Sequence, residues 1–495
     1  MSPSRNALDA GKPLSIVIIG ASGDLARRKL LPALFYIYCQ DFLPEDFHLF
    51  GFARSPMTDD EFRARCREHL TCRYAPGEQC EDRMEAFLSR CRYHAGQYAS
   101  ADDLLDLFQL MRSQEKTLLA NRLYYLAIPP SVFTEVARSL GRAGLVACGK
   151  ADAWARVVIE KPFGRDRASS DEMADELSKV FGERDIYRID HYLGKEVIQN
   201  LMVLRFANPI FEPLWSHIYI DNVQISWKED LGIGSRAGYF DEFGIIRDVM
   251  QNHLLQILSL IAMEEPFNAS AQCVRDEKVR ALKCVPPLTL DDLVLGQYLG
   301  ARRGAAEIPA YAETPGVPPD SITPTFAAAA LRVNNKRWEG VPFLVRAGKG
   351  VESRMSEIRI QFRPKAKNIF ADVMSRLPKD ELVIRVQPNE AIYFRVVNKV
   401  PGLKMTLTES DLNLRYESTF RQNIPDAYET LLLDALRGEK SLFIRNDELQ
   451  AAWDIFTPVL HEIDRRRITP EPYAFGGQGP ESAAELALRY GVQWR

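Results

Sequence analysis

Cysteine is scarce in this sequence, with eight in 495 residues, at positions 39, 66, 72, 80, 91, 148, 273 and 284. None forms a Cys-x-x-Cys pair and eight cannot staple so long a chain, so the pattern predicts reduced thiols in a reducing compartment. Histidine is rarer still. Its seven residues show no close ligand spacing, which speaks against a structural zinc site, and no metal is expected. An excess of one charge is also missing. With 63 basic against 67 acidic side chains, the chain lacks the cationic surplus that displaces counterions from phosphates, so no nucleic-acid partner is expected. Long hydrophobic runs are absent. The longest uncharged apolar stretch, Val249 to Met263, carries Gln251, Asn252, His253 and Gln256 and falls short of the roughly 20 residues of a membrane span. Leu14 to Ile19 runs into Gly20 and then charge, and reads as a strand, not a signal-peptide core. No membrane partner is expected, and the expected location is cytoplasmic.

What is present is an ordinary globular composition, 46% hydrophobic and 26% charged, on a chain long enough for about two to four domains. Over the first 175 or so residues, apolar runs alternate with helical patterns. Leu14–Ile19, Phe47–Ala53, Arg122–Ala127 and Ala155–Glu160 read as buried strands, with a helix from Asp24 to about Cys39, which implies βαβ units and a doubly wound parallel sheet. Further on, Ile358–Arg363 alternates with period two, as expected of a strand with one wet face. Glu381–Gln387 and Ala391–Val397 form a predicted hairpin, Val223–Trp227 and Phe343–Arg346 add strands, and Phe240–Met263 and Asp447–Arg466 are long helical patterns. Ile308–Pro324 reads as a surface loop. The expected architecture is a Rossmann-like α/β domain over residues 1–189 and an α+β domain with a large antiparallel sheet over 190–495.

Gly20, Ala21, Ser22, Gly23, Asp24, Leu25 and Ala26 follow the first strand and open a helix, whose free N–H groups and dipole suit a pyrophosphate. The spacing Gly-x-x-Gly also fits an ordinary strand–helix turn. The second strand ends in Gly51-Phe52-Ala53-Arg54-Ser55, without the acid that would hold a ribose 2′-hydroxyl. Arg54 there suits a 2′-phosphate, hence NADP. Lys161 sits at the carboxyl end of another strand, where α/β sheets bind ligands. His191, Tyr192 and Lys195 crowd hydrogen-bonding groups into one turn and could converge on a phosphate, although a solvated helix start explains them equally well. His253 lies on an apolar helical face, as a core histidine would, or as a base that accepts a proton at neutral pH.

Taken together, Gly20–Ala26 (GASGDLA), Glu160–Gly164 (EKPFG), Arg188–Glu196 (RIDHYLGKE), Tyr239–Gln256 (YFDEFGIIRDVMQNHLLQ) and Val345–Lys349 (VRAGK) resemble the glucose-6-phosphate dehydrogenase family, in order from about Ser15 to Trp494. The resemblance implies oxidation of β-D-glucose 6-phosphate at C1 to 6-phosphoglucono-δ-lactone with formation of NADPH, the first step of the oxidative pentose phosphate pathway. It implies His253 as general base and Asp190 as the carboxylate orienting it. His191, Tyr192, Lys195 and Lys349 would hold the phosphate, Lys161, Glu229 and Asp248 the hydroxyls near C1, and Arg354 and Gln387 further substrate positions. Coenzyme contacts would come from Gly20 through Arg27, Arg54, Tyr125 and Lys161. The implied partners are glucose 6-phosphate, NADP and further copies of the chain, as a homodimer or homotetramer built on the large sheet. Some members hold a second, structural NADP. Arg346, Arg359, Arg385 and Tyr393 match that site, while Met355 and Gln478 stand where basic residues are expected.

Two other classes are weighed against this one. A catalytically dead nucleotide-binding protein would be expected to have lost His253, Asp190 or Lys195, and all three are present. A related sugar-phosphate dehydrogenase of the endoplasmic reticulum would be expected to show a signal peptide and a fused second enzyme, and neither is visible.

Overall fold

The computed structural model describes residues 11–71, 79–116, 119–143, 153–303, 306–415, 419 and 424–495. Six strands build the first sheet: β1 (Leu14–Ile19), β2 (Phe47–Ala53), β3 (Cys91–Ala95), β4 (Asn121–Leu126), β5 (Ala155–Ile159) and β6 (Ile186–Ile189). They lie parallel in the order 3-2-1-4-5-6, the doubly wound dinucleotide order, with helices covering both faces. Coverage on both faces explains the composition of β1, whose six residues are all buried. Each aliphatic side chain taken fully out of water there contributes roughly 1.5–3 kcal/mol. The one polar member, Ser15, donates to Glu115 at 2.9 Å, and Glu115 is held in turn by Arg122 at 2.7 Å.

The chain's far end returns to this sheet. Phe443–Ile444 pairs antiparallel with β6, and the helix Ala427–Arg437 buries Leu431, Leu432, Ala435 and Leu436 in the same core as β1.

A second sheet has nine strands and is mostly antiparallel. At its centre β7 (Ile220–Glu229) lies between 342–349, to which it is parallel, and 355–362, to which it is antiparallel. The strands 381–387, 391–399 and 407–415 continue to one edge, and 326–332, 293–298 and 471–473 to the other. This agrees with the expected large sheet and with the expected hairpin.

Several expectations need correction. The strand Met355–Phe362 has no wet face, because its polar side is buried through ion pairs: Arg359 bonds Glu357 at 2.6 Å and also binds Glu381. The pattern 240–263 is not one regular helix. Gly244 breaks it at φ 66°, a conformation that costs other residues dearly, and Ile246–Leu254 then winds as a π-helix before α-helix resumes at Leu255. The first helix, from Asp24 to Cys39, likewise has a π-wound turn over Ala26–Leu30. Cys80 is disulfide-bonded, contrary to the expectation of reduced thiols, whereas Cys39, Cys66, Cys91, Cys273 and Cys284 are free. Cysteines bridge when their Cα atoms come within about 7 Å, which spacing along the chain does not reveal. Cys72 and Cys148 lie outside the described residues. No helix among the described residues is long and apolar enough to cross a membrane.

Candidate active site

The carboxyl ends of β1, β4 and β5 face the second sheet across a cavity of about 1080 Å³. At the end of β1, Gly20 has φ 96°, and a Cβ there would stand 2.2 Å from the Ala127 carbonyl oxygen. The backbone therefore lies flat over the exit of β4 in a way open only to glycine. Asp24 then starts the helix and binds Arg27 at 2.7 Å, which leaves Arg28 and Lys29 facing the cavity. At the tip of β2, Arg54 is exposed, with its guanidinium 5.3 Å from the centre of the Tyr98 ring. A glycine cradle, an open helix start and a free guanidinium with no carboxylate on the same strand tip fit a dinucleotide carrying a 2′-phosphate.

Lys161, His191, Lys195, Asp248, Arg354 and Gln387 all line this cavity. Behind its wall lies the pair His253–Asp190, both almost fully buried. His253 Nδ1 donates to Asp190 Oδ1 at 2.5 Å, and the Tyr192 backbone N–H donates to the same oxygen at 2.9 Å. An ionised carboxylate only accepts, so the imidazole proton sits on Nδ1 and the lone pair is left on Nε2. The π-helical turn brings both Asp248 and His253 to the cavity wall from one short segment. Tyr192 stacks on His253 with ring centres 4.5 Å apart, and its hydroxyl lies 3.3 Å from Ser356 and 3.4 Å from Gln387. Lys161 donates to the Asp248 carboxylate at 2.8 Å, and Lys349 to Glu229 at 2.6 Å. The last two stand one step back from the lining. Tyr125 is buried and donates to Glu160 at 2.5 Å.

Burial dominates the electrostatics. It pushes His253 below the ordinary 6.5 of imidazole, only partly opposed by Asp190, and pushes His191 well below it. Burial also raises the carboxyls of Asp190 and Asp248, but His253 in the first case and Lys161 in the second outweigh it and hold each at about 2. Burial draws the Lys195 ammonium down, with Glu390 and Asp426 pushing back. Two signs follow. A neutral imidazole is the competent base, so turnover should stay level down to about pH 6.5 and fall only in more acid solution. Stability is lost in the same direction: the unfolded chain takes up protons below about 6.5 that His253 and His191 refuse, and again below 3.8, where Asp190 and Asp248 remain ionised. Denaturant midpoints should therefore decline from pH 7 to 5, and a flat profile would contradict the buried neutral imidazoles.

Sequence reasoning overlooked Tyr428, Glu160, Asp426 and Glu390, all of which line the cavity. Tyr428 lies nearly parallel to His191, with ring centres 6.3 Å apart, and shares the Glu160 carboxylate with Tyr125. A local signal existed. Asp426 with Glu429 three residues later is a capping box that announces a helix start at Tyr428. The cations matched to a second dinucleotide are committed elsewhere. Arg359 binds Glu357 and Glu381, Arg385 reaches Glu357 and Tyr393, and Arg346 donates to Ser226 and to the Arg495 carbonyl. With Met355 and Gln478 uncharged, that donor set does not fit a second dinucleotide.

A doubly wound sheet whose strand ends meet a buried histidine–aspartate pair across a cationic cavity defines a nicotinamide-dependent dehydrogenase. Comparison with known proteins narrows the class. Residues 17–200 match the model of the glucose-6-phosphate dehydrogenase NAD binding domain, and residues 202–495 match that of its C-terminal domain. The chain belongs to the glucose-6-phosphate dehydrogenase family. It is 52% identical over 484 residues (97% of this chain, 83% of the relative) to glucose-6-phosphate 1-dehydrogenase 1, chloroplastic, of Arabidopsis thaliana. It is 47% identical over 488 residues (98% and 95%) to glucose-6-phosphate 1-dehydrogenase of Dictyostelium discoideum. A solved structure described as glucose-6-phosphate dehydrogenase in complex with its substrate glucose-6-phosphate superposes with a TM-score of 0.90 at 39% identity, covering 98% of this chain and 99% of that one.

Proposed function

We propose that this chain oxidises C1 of β-D-glucose 6-phosphate to 6-phosphoglucono-δ-lactone with NADP⁺ as acceptor. The observation that carries the reading is the buried Asp190–His253 pair behind a cavity lined by Lys161, His191 and Lys195. The coenzyme would lie on Gly20–Arg27 with its 2′-phosphate at Arg54 and with Tyr125 and Lys161 beside it, and when bound it supplies the acceptor for the C1 hydride. His253 Nε2 takes the C1 hydroxyl proton. Asp190 holds the imidazole in the tautomer that leaves Nε2 free and stabilises the imidazolium that forms. His191, Tyr192, Lys195 and Lys349 bind the phosphate, so a dianion remote from C1 positions the reacting carbon. Asp248, Lys161 and Glu229 fix the hydroxyls, while Arg354 and Gln387 close the pocket. The reading extends to a homo-oligomer. The outermost strand, 407–415, has one open edge, and Val400, Leu403, Met405 and Leu412 expose apolar surface beside it, of the kind a second copy covers.

Following nicotinamide absorbance with glucose 6-phosphate and each coenzyme tests substrate, reaction and cofactor together. Replacing Arg54 with Ala should raise KM for NADP⁺ at least tenfold and leave KM for NAD⁺ nearly unchanged, because only the former loses a charged bidentate contact. An equal change in both would refute the 2′-phosphate assignment.

A further inference from the structure

Asp190 has an atom that proton abstraction does not use. Its Oδ1 receives both His253 and the Tyr192 N–H, whereas Oδ2 is buried and has no hydrogen-bond partner. A carboxylate oxygen out of water with free lone pairs is costly unless something occasionally takes them up. Beside it stand two imidazoles. Ligand atoms of Asp190, His191 and His253 all lie within 4.8 Å of one another, and no other group among the described residues converges in this way.

We propose that Asp190, His191 and His253 form an inhibitory site for a borderline-soft divalent cation of the Zn²⁺ type, which the sugar phosphate excludes. Two imidazole nitrogens and one carboxylate oxygen, with a fourth position open, are the donor set of three-ligand zinc sites, and they disfavour Mg²⁺ and Ca²⁺, which want oxygen throughout. Bonds of about 2.0–2.1 Å in a tetrahedron bring ligand atoms to about 3.4 Å of one another, so the cluster must contract by about an ångström. His191 is the member able to supply that movement. It is half-buried and faces the cavity, while Asp190 and His253 are already held together. The two nearest lysines do not bar a dication, because Lys161 is neutralised by Asp248 and Lys349 by Glu229.

Metal on this cluster takes the lone pair that His253 needs for the C1 proton and draws His191 away from the phosphate. That consequence rests on the reading under Proposed function, but metal binding itself does not. The test uses the full chain, freed of metal with a chelator, and titrates it with Zn²⁺ alone and with Co²⁺ alone, whose visible absorption reports a tetrahedral site. One ion per chain should bind with micromolar affinity. His191→Gln and Asp190→Asn should each weaken binding by about tenfold or more, with circular dichroism confirming that both variants fold. Glucose 6-phosphate should displace the metal, and Zn²⁺ should raise KM for glucose 6-phosphate without lowering kcat. Binding no tighter than millimolar, or unchanged in a folded variant, overturns the site. Tight binding that both variants weaken but glucose 6-phosphate leaves untouched keeps the metal cluster and overturns the inhibition and the sugar-site reading.

Discussion

Replacing His253 with Asn should lower kcat by roughly two to four orders of magnitude, the contribution usual for a positioned general base. Asparagine retains an amide that can face Asp190, so the buried carboxylate keeps a donor and the fold is spared an orphaned charge. What disappears is the Nε2 lone pair, the atom that the Asp190 bond leaves free. Sugar binding draws on the phosphate and hydroxyl contacts of other residues and should stay within a few-fold, so the loss belongs in kcat, not in KM. Steady-state rates with saturating glucose 6-phosphate and NADP⁺ decide the matter: near-normal turnover would remove His253 as the base.

Lys195→Ala should raise KM for glucose 6-phosphate by about a hundredfold or more, as expected when one partner of a desolvated, hydrogen-bonded charge pair is removed. Lys195 stands at the first turn of the helix Glu196–Phe206 and lines the cavity, with burial pulling its ammonium towards the neutral form. Among the described residues no carboxylate comes within ion-pair distance of it, in contrast to Lys161 and Lys349. A partly desolvated cation without a local counter-ion is poised for an external anion. Free glucose lacks that anion, so the variant should handle glucose and wild-type-like concentrations of NADP⁺ almost as before. Equal losses with glucose and glucose 6-phosphate would show that Lys195 shapes the pocket without anchoring the phosphate.

Much of this arrangement is legible in the sequence, because short-range rules govern it. Apolar runs bounded by glycine mark β1, β2, β4 and β5 to within a residue or so, and the rule that ligands gather at strand ends is enough to put Lys161 on the cavity. Convergence across distance is not legible in the same way. The separation of 63 positions between Asp190 and His253 says nothing about contact, and only the family resemblance pairs them. Phe326–Arg332 contains four consecutive alanines, a helix-favouring run that is nevertheless an inner strand, since small side chains let it pack between two neighbours. The polar alternation of 355–362 predicts solvent, whereas Glu357 and Glu381 replace water as partners of Arg359. Tyr428 escapes sequence reasoning because the residues that place it, Glu160 and His191, are more than two hundred positions away and on another lobe.

The return of 427–444 to the first sheet has a consequence for biosynthesis. Until those residues leave the ribosome, β6 keeps an unpaired edge and the core around β1 lacks one of its covering helices. The amino-terminal half thus emerges unfinished and must wait, vulnerable to chaperones and proteases, while several hundred more residues are translated. Nonsense mutations anywhere before the last seventy or so codons should accordingly yield no stable nucleotide-binding fragment.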